Sequence, residues 1–467
     1  MHQEESSKPV AAANPEDQEN RLSTDAEVAA LEETFVQSMK GGRGRSNPYV
    51  ALPAPGHDVH GLWHCFGAGH RSGYATHAVA LHWALDRELK VQTQLIPHRN
   101  MDIDIDEFPP DRYEMLFDWN KNAVGHGHIV FSSFPPEVSV EMEGLGPPLV
   151  PYIAFEGTTV SEFTKNVCNS DAFRQVWVVH PFVKEALVAG GVQPDRVYVA
   201  PPLLFGGPWA GQHLSDVMMT AATEAPPGEI FTFGAMGTWH ERKGFHDLVR
   251  AYFSSFRRDE PVQLVIRTST FGKKRTIREF KDFLTEEIAG IAAEFGDANF
   301  PDSKAQPRLK LLLGTDATDA EVIQWLGSID CFASPSYGEG LGIPHIWAKG
   351  QGVPLISTGF GAVGELVNSI ADSGGTDDSI VPFELTDVHE EMHKIALMFS
   401  RETKWGGYKV EDFAAAMREQ FERGIRRDLH GAHFVRERHG VENAVRHVKQ
   451  GLASLVDPQL RQDWGIG

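Results

Sequence analysis

The chain has 467 residues, a length that suggests two or three domains with large buried cores. Its 43 Lys and Arg stand against 64 Asp and Glu, and the formal net charge of −21 argues against broad nucleic-acid binding. The three cysteines, Cys65, Cys168 and Cys331, lack paired spacing, so neither a disulfide framework nor a zinc motif is expected, and no run approaches the roughly 18 apolar residues of a membrane span.

Residues 1–48 read as an N-terminal extension, polar and disordered at first and then helically spaced at Val28, Leu31, Phe35 and Met39. The start lacks the basic and apolar segments of a signal peptide, which points to a cytoplasmic location. Through 49–206, apolar runs at 59–66, 91–97, 128–132, 149–155, 175–180 and 197–201 alternate with helical patterns such as 75–89 and 181–189. The Gly- and Pro-rich stretch 207–228 reads as a linker. The alternation restarts in 229–440, with runs at 230–237, 262–268, 309–314, 331–335, 354–358 and 380–383 and helical patterns at 245–256, 278–295, 319–327 and 390–401. The segment 410–455 is helical with a break near 428–432, and 441–467 forms a C-terminal helix and tail. This pattern predicts an α/β protein of two doubly wound, Rossmann-like parallel domains facing across a cleft, with ligands outside the C-terminal ends of the strands.

Four strand ends carry candidate chemistry. The first domain offers Gly67-Ala-Gly69-His-Arg71-Ser-Gly73 after its first strand, where Arg71 can meet a phosphate. Its fourth run ends at Glu156, a carboxylate suited to acceptor hydroxyls or to general-base work, against the plain reading of a turn carboxylate. In the second domain, Gly237-Thr238-Trp-His-Glu-Arg242-Lys243-Gly places two cations between a strand and a helix, where they can neutralise a diphosphate. In Ser334-Pro-Ser-Tyr-Gly-Glu339-Gly340-Leu341-Gly342-Ile-Pro a carboxylate sits among glycines before a helix start. Its free N–H groups and dipole favour a phosphate. His128 and His180 each adjoin a strand and can line the cleft, although a lone histidine is more often structural.

The run from Glu339 to Pro344, followed by Gly352-Val-Pro-Leu-Ile, resembles the donor-sugar motif of the family-4, GT-B-fold retaining glycosyltransferases. That resemblance covers about residues 58–400. It implies metal-independent transfer of a hexose, with retention, from a nucleotide-diphosphate sugar (UDP- or GDP-sugar) to a hydroxyl acceptor, which can be a glycan, a lipid-linked sugar or a protein. The acceptor itself is not legible. No cofactor beyond the donor is implied. By the same resemblance Glu339, Lys243, Arg242, His128 and Glu156 would be catalytic. Gly69, Arg71, Gly73, Gly237, Thr238, Gly340, Leu341, Gly342, Trp347 and Glu365 would bind the donor. Two positions depart from the family pattern. Trp347 stands where the second motif glutamate is usual, either stacking on the nucleotide or packing, and Glu365 is a candidate replacement. Thr238 stands where the usual arginine precedes Lys243, with Arg242 as its substitute.

Rival readings are a catalytically weak GT-B protein that binds a nucleotide sugar or glycan, and a nucleotide-sugar epimerase. A glycan phosphorylase would need a recognisable pyridoxal-phosphate lysine, which the sequence does not show. Asp102-Ile-Asp104-Ile-Asp106 contains the Asp-x-Asp pattern that holds metal in a different glycosyltransferase fold and reads here as an acidic loop. The histidines between His57 and His77 lack a shared ligand spacing, so no metal site is expected.

Overall fold

The computed structural model describes residues 60–66, 72–97, 126–140, 142, 146–223, 229–269, 275–296, 305–314, 317–375 and 377–466. The acidic loop around Asp104 and the expected N-terminal helix lie outside these residues.

Two six-stranded parallel sheets organise the chain. The first contains β1 (His60–Phe66), β2 (Thr93–Pro97), β3 (His126–Ser133), β4 (Leu149–Ile153), β5 (Val176–Val178) and β6 (Val197–Val199), in the order β2-β1-β3-β4-β5-β6. The second contains β7 (Phe231–Thr238), β8 (Val262–Ser269), β9 (Arg308–Leu313), β10 (Cys331–Ser334), β11 (Leu355–Thr358) and β12 (Ser379–Val381), in the order β12-β11-β10-β7-β8-β9. Each expected apolar run coincides with a strand. Helices cover both faces of a parallel sheet, so its strands are apolar on both sides, and β4, β10 and β11 are buried along their whole length.

Counted from β7, the second sheet has the order 3-2-1-4-5-6. Its strand order therefore reverses between the paired neighbours β7 and β10. Loops leaving the C-terminal ends of two such strands diverge to opposite faces and open a crevice between them. The first sheet reverses between β1 and β3.

The helices that frame the crevice follow from local capping. Helix α1 (Gly73–Trp83) starts after β1, where the Ser72 hydroxyl accepts the Ala75 N–H at 3.2 Å. Helix α2 (Pro181–Ala189) has Pro at its first position and His180 as its cap, whose Nδ1 accepts the Phe182 N–H at 3.3 Å. Helices α3 (Phe245–Ser255), α4 (Ile343–Gly350) and α5 (Gly361–Asp372) follow β7, β10 and β11. Helices α6 (Val410–Arg423), α7 (Leu429–Arg438) and α8 (Val441–Leu455) complete the helical tail, with breaks at Gly424–Asp428 and at His439–Gly440. Helix α8 returns to the first sheet: Tyr198 donates to the His447 carbonyl at 2.7 Å, and a Cβ on Gly451 would lie 2.4 Å from the Trp177 ring.

Three features depart from the sequence reading. The stretch 207–228 is no plain linker, because it holds a 3-10 turn (Gly207–Trp209) with Trp209 fully buried and a helix at Asp216–Thr223. The helix expected over 390–401 ends at Ile395. The chain then forms β14 (Lys404–Gly407), which pairs antiparallel with β13 (Glu384–Asp387), a polar strand that apolar patterning cannot reveal. This hairpin arm pins the first domain. Ser161 N–H donates to the Met398 carbonyl at 2.9 Å, the Ser161 hydroxyl to the Leu397 carbonyl at 2.6 Å, and Lys404 N–H to the Thr158 hydroxyl at 2.9 Å. Among the described residues no helix is long and apolar enough to cross a membrane.

Helix α4 is anchored at its far end by Lys349, which is fully buried and ion-paired to Asp378 and, at 2.8 Å, to Asp428. Replacing Lys349 by Met strands two buried carboxylates. We expect urea denaturation to show a loss of about 3–5 kcal/mol, and an unchanged midpoint would contradict that role.

Candidate active site

The loops after β7 and β10 meet at the switch point. From the first comes the 3-10 turn Glu241–Lys243, from the second the run Pro335–Gly342 that carries Glu339. Lys243 Nζ lies 2.5 Å from Glu339 Oε1, and an Arg242 terminal nitrogen lies 3.2 Å from Glu339 Oε2. Arg242 also reaches Glu156 of the first domain at 3.3 Å and donates to the Gly338 carbonyl at 2.6 Å. Two cations and two carboxylates from both domains thus form one network, and only Glu156 keeps as much as a quarter of its side chain exposed.

Burial alone would push the Glu339 carboxyl up. Lys243, Arg242 and, from helix α4, His345 overcome it and hold the carboxyl well below the usual range. His240, buried beside both cations, is pushed down to about 2 and is neutral at ordinary pH. Tyr74, whose hydroxyl donates to the Ala154 carbonyl at 3.2 Å, is pushed up by burial and by Glu156.

The glycines around Glu339 serve the contact between the domains. A Cβ on Gly338 would lie 2.3 Å from the Glu156 carbonyl oxygen, and one on Gly340 would lie 2.7 Å from Phe155 backbone atoms. The backbones of the two domains therefore touch at the carboxylate, with Leu341 buried beside them. Gly73 opens α1 with its Cα facing Ile343 of α4. Gly69 and Arg71 lie outside the described residues. At the ends of β7 and β8, Gly237 and Thr238 border a cavity of about 110 Å³ that Thr268, Ser269 and Gly314 also line. A larger concavity of about 720 Å³ lies between Glu88 and α8, beyond the end of α1 that points away from the switch point, and gathers none of these groups.

Two expectations are corrected. His128 lies in the first half of β3, at the N-terminal edge of the sheet. It stands 3.1 Å from His60 at the start of β1 and edge-on to Trp464. Ligand-binding loops leave the opposite edge, so His128 does not reach the cleft. Trp347 is buried, donates its indole N–H to the Leu204 carbonyl at 3.3 Å and packs 6.0 Å from Trp209. It holds the segment before the 3-10 turn against α4, so the packing alternative describes it and stacking on a nucleotide does not.

The cleft histidine is instead His180, at the C-terminal side of β5. Its Nδ1 lies 3.7 Å from Glu365 on α5, across the two domains. Burial, with Arg438 and His439 nearby, pushes it down to about 3, so it faces Glu365 as a neutral ring, while burial and Glu185 raise the Glu365 carboxyl. Asp247, on α3, escaped the sequence reading. It accepts from Tyr337 at 2.8 Å and Tyr408 at 3.2 Å, and Tyr337 N–H donates to the Arg242 carbonyl at 2.8 Å, which fixes the cation loop against the glutamate loop. Only the Tyr337 position, two residues before Glu339, hinted at this.

The fold has clear relatives among solved structures. Anabaena HepE in complex with UDP and glucose matches over 85% of this chain and 100% of its own, with TM-score 0.53 and 12% identity. Sucrose-phosphate synthase from Thermosynechococcus elongatus matches over 85% and 99%, with TM-score 0.55 and 13% identity. A Rickettsia africae glycosyltransferase matches over 85% and 98%, with TM-score 0.53 and 14% identity. No protein-family model and no curated protein matches the sequence. The likeness covers both domains and shows that the chain has the GT-B fold.

The ion network makes a pH signature. Glu339 has a depressed folded-state value against the ordinary value of about 4.5, so its contribution is full above about 4.5 and is lost progressively as the pH falls from there toward and through the folded value. Chemical denaturation at about pH 6 and about pH 3.5 should therefore show a larger acid loss in wild type than in Glu339→Gln. Equal losses would contradict the pairing.

Proposed function

We propose that the protein transfers a hexose from a nucleotide-diphosphate sugar to a hydroxyl acceptor with retention of configuration, without a resident metal. One observation carries this: Arg242 and Lys243, from the loop after β7, converge on Glu339, from the loop after β10, at the switch point of the second sheet. A crevice of this kind suits a dinucleotide-like ligand, and the solved neighbours include complexes with UDP, glucose and UDP-glucose. These neighbours support the fold, and the residues of this chain support the chemistry.

In the reaction the bond between the sugar C1 and the diphosphate oxygen breaks, and the electron pair leaves with the diphosphate. Arg242 and Lys243 lie where they stabilise that developing charge electrostatically, the task a metal performs in other enzymes. Glu339, released from its partners as they turn to the phosphates, is placed to accept hydrogen bonds from sugar hydroxyls. The acceptor oxygen forms the new bond to C1 on the face the diphosphate leaves, and its proton passes to a leaving phosphate oxygen. The cavity at Gly237 and Thr238 is the place for part of the nucleoside. Glu156 and the His180–Glu365 pair face the cleft from the first domain and from α5, on the side an acceptor must enter.

The test is release of nucleotide diphosphate from a panel of UDP-, GDP-, ADP- and dTDP-sugars in EDTA, with and without glycan and alkyl-glycoside acceptors. We expect one donor to be consumed. Lys243→Ala and Glu339→Ala should each lower kcat/KM by roughly 100-fold or more, the size typical of a lost transition-state charge contact. A product of inverted configuration, an isomerised donor, or full activity in both variants would contradict the proposal.

A further inference from the structure

Helix α4 starts on Gly342, whose φ of 79° is the left-handed conformation glycine adopts freely. Its anion-binding end is short of donors. Pro344, at the second position, has no N–H, and the His345 N–H is already given to the Gly342 carbonyl at 2.9 Å. The third position carries His345. Helical side chains lean toward the N-terminus, and this ring lies over the cap, with its Nδ1 only 2.9 Å from where a Cβ on Gly342 would be. Glycine at 342 is thus needed both for its backbone angle and for the space the imidazole occupies.

The ring is 2% exposed and stands edge-on to Phe332 of β10 at 5.0 Å. Neither of its nitrogens has a hydrogen-bond partner. The Gly342 carbonyl is close enough to favour the charged ring without completing a bond, Glu339 also favours the charge, and Lys243 opposes it. A buried imidazole with no completed hydrogen bond is costly until it gains a partner. It sits in the same electrostatic neighbourhood as Lys243, expected on the diphosphate, and Glu339, expected on the sugar.

We propose that His345 is a diphosphate-positioning residue, whose ring N–H meets a leaving-group oxygen above Gly342 in place of the donor that Pro344 lacks. This rests on the nucleotide-sugar reading above. Without ligand the ring is neutral, pushed down to about 4 first by burial and then by Lys243. Two phosphate charges brought beside it favour the imidazolium, so binding takes up a proton as the pH falls through the range around 6.

Calorimetric titration of the full chain with UDP-, GDP- and ADP-glucose tests this, because a diphosphate diester has no titrating phosphate in that range. Heats at about pH 5.5 and about pH 7.5, in buffers of different ionisation enthalpy, give the protons taken up. Wild type should bind one donor with measurable uptake at the lower pH. His345→Leu should lose roughly tenfold or more in affinity together with the uptake. His345→Asn, which keeps a donor that cannot titrate, should recover most of the affinity and none of the uptake. Wild-type affinity in a folded His345→Leu, or undiminished uptake in His345→Asn, would overturn the positioning role alone. Failure of wild type to bind these three donors and every other sugar of the UDP-, GDP-, ADP- and dTDP-sugar panel would overturn the nucleotide-sugar reading and this role with it.

Discussion

The structure turns on a balance of charge at one point: Arg242 and Lys243 facing Glu339, with Glu156 reaching in from the other domain. Each cation is largely buried and would be costly there alone, as would each carboxylate. Their convergence lets the loops after β7 and β10 pass close to each other and to the first domain. The proposed function needs this arrangement to exchange partners. On the proposed function a diphosphate, with its two negative charges, competes with the carboxylates for the cations, and each cation that turns to it frees a carboxylate for hydroxyl groups. What holds the cleft together is therefore what a donor would rearrange.

The surroundings keep this network in register. Asp247 collects two tyrosine hydroxyls and ties the cation loop to the hairpin arm. Gly338 and Gly340 bring the backbone of the second domain against Phe155 and Glu156. The hydrogen bonds between Thr158 and Ser161 on one side and residues 397–404 on the other clamp the segment just beyond Glu156. On the far side of α4, Lys349 and its two aspartates fix the helix whose N-terminus faces the crevice. Helix α4 is thus held at one end by a buried ion pair, and its other end faces the crevice.

Much of this was legible in the sequence, and the reasons are physical. The sheets show as apolar runs because parallel strands are buried on both faces. The Lys243 and Glu339 loops show because glycines and charges at strand ends are local patterns. What was missed depends on distant chain segments. His128 and His180 look alike as strand-flanking histidines, yet strand direction puts the first at the closed edge of its sheet and the second at the cleft. Trp347 occupies a motif position, but the segment that covers it comes from around Leu204 and Trp209, far back in the chain. The polar β13 strand carries no apolar signal, and Asp247 gains its meaning only when Tyr337 and Tyr408 arrive from 90 and 161 residues away.

The most direct measurement is a crystal structure of the protein with the nucleotide diphosphate of its donor in the cleft. The account predicts the diphosphate between the ends of β7 and β10, with Lys243 and Arg242 on its oxygens and Glu339 parted from them. A diphosphate bound elsewhere, with the Lys243–Glu339 and Arg242–Glu339 contacts intact, would contradict it.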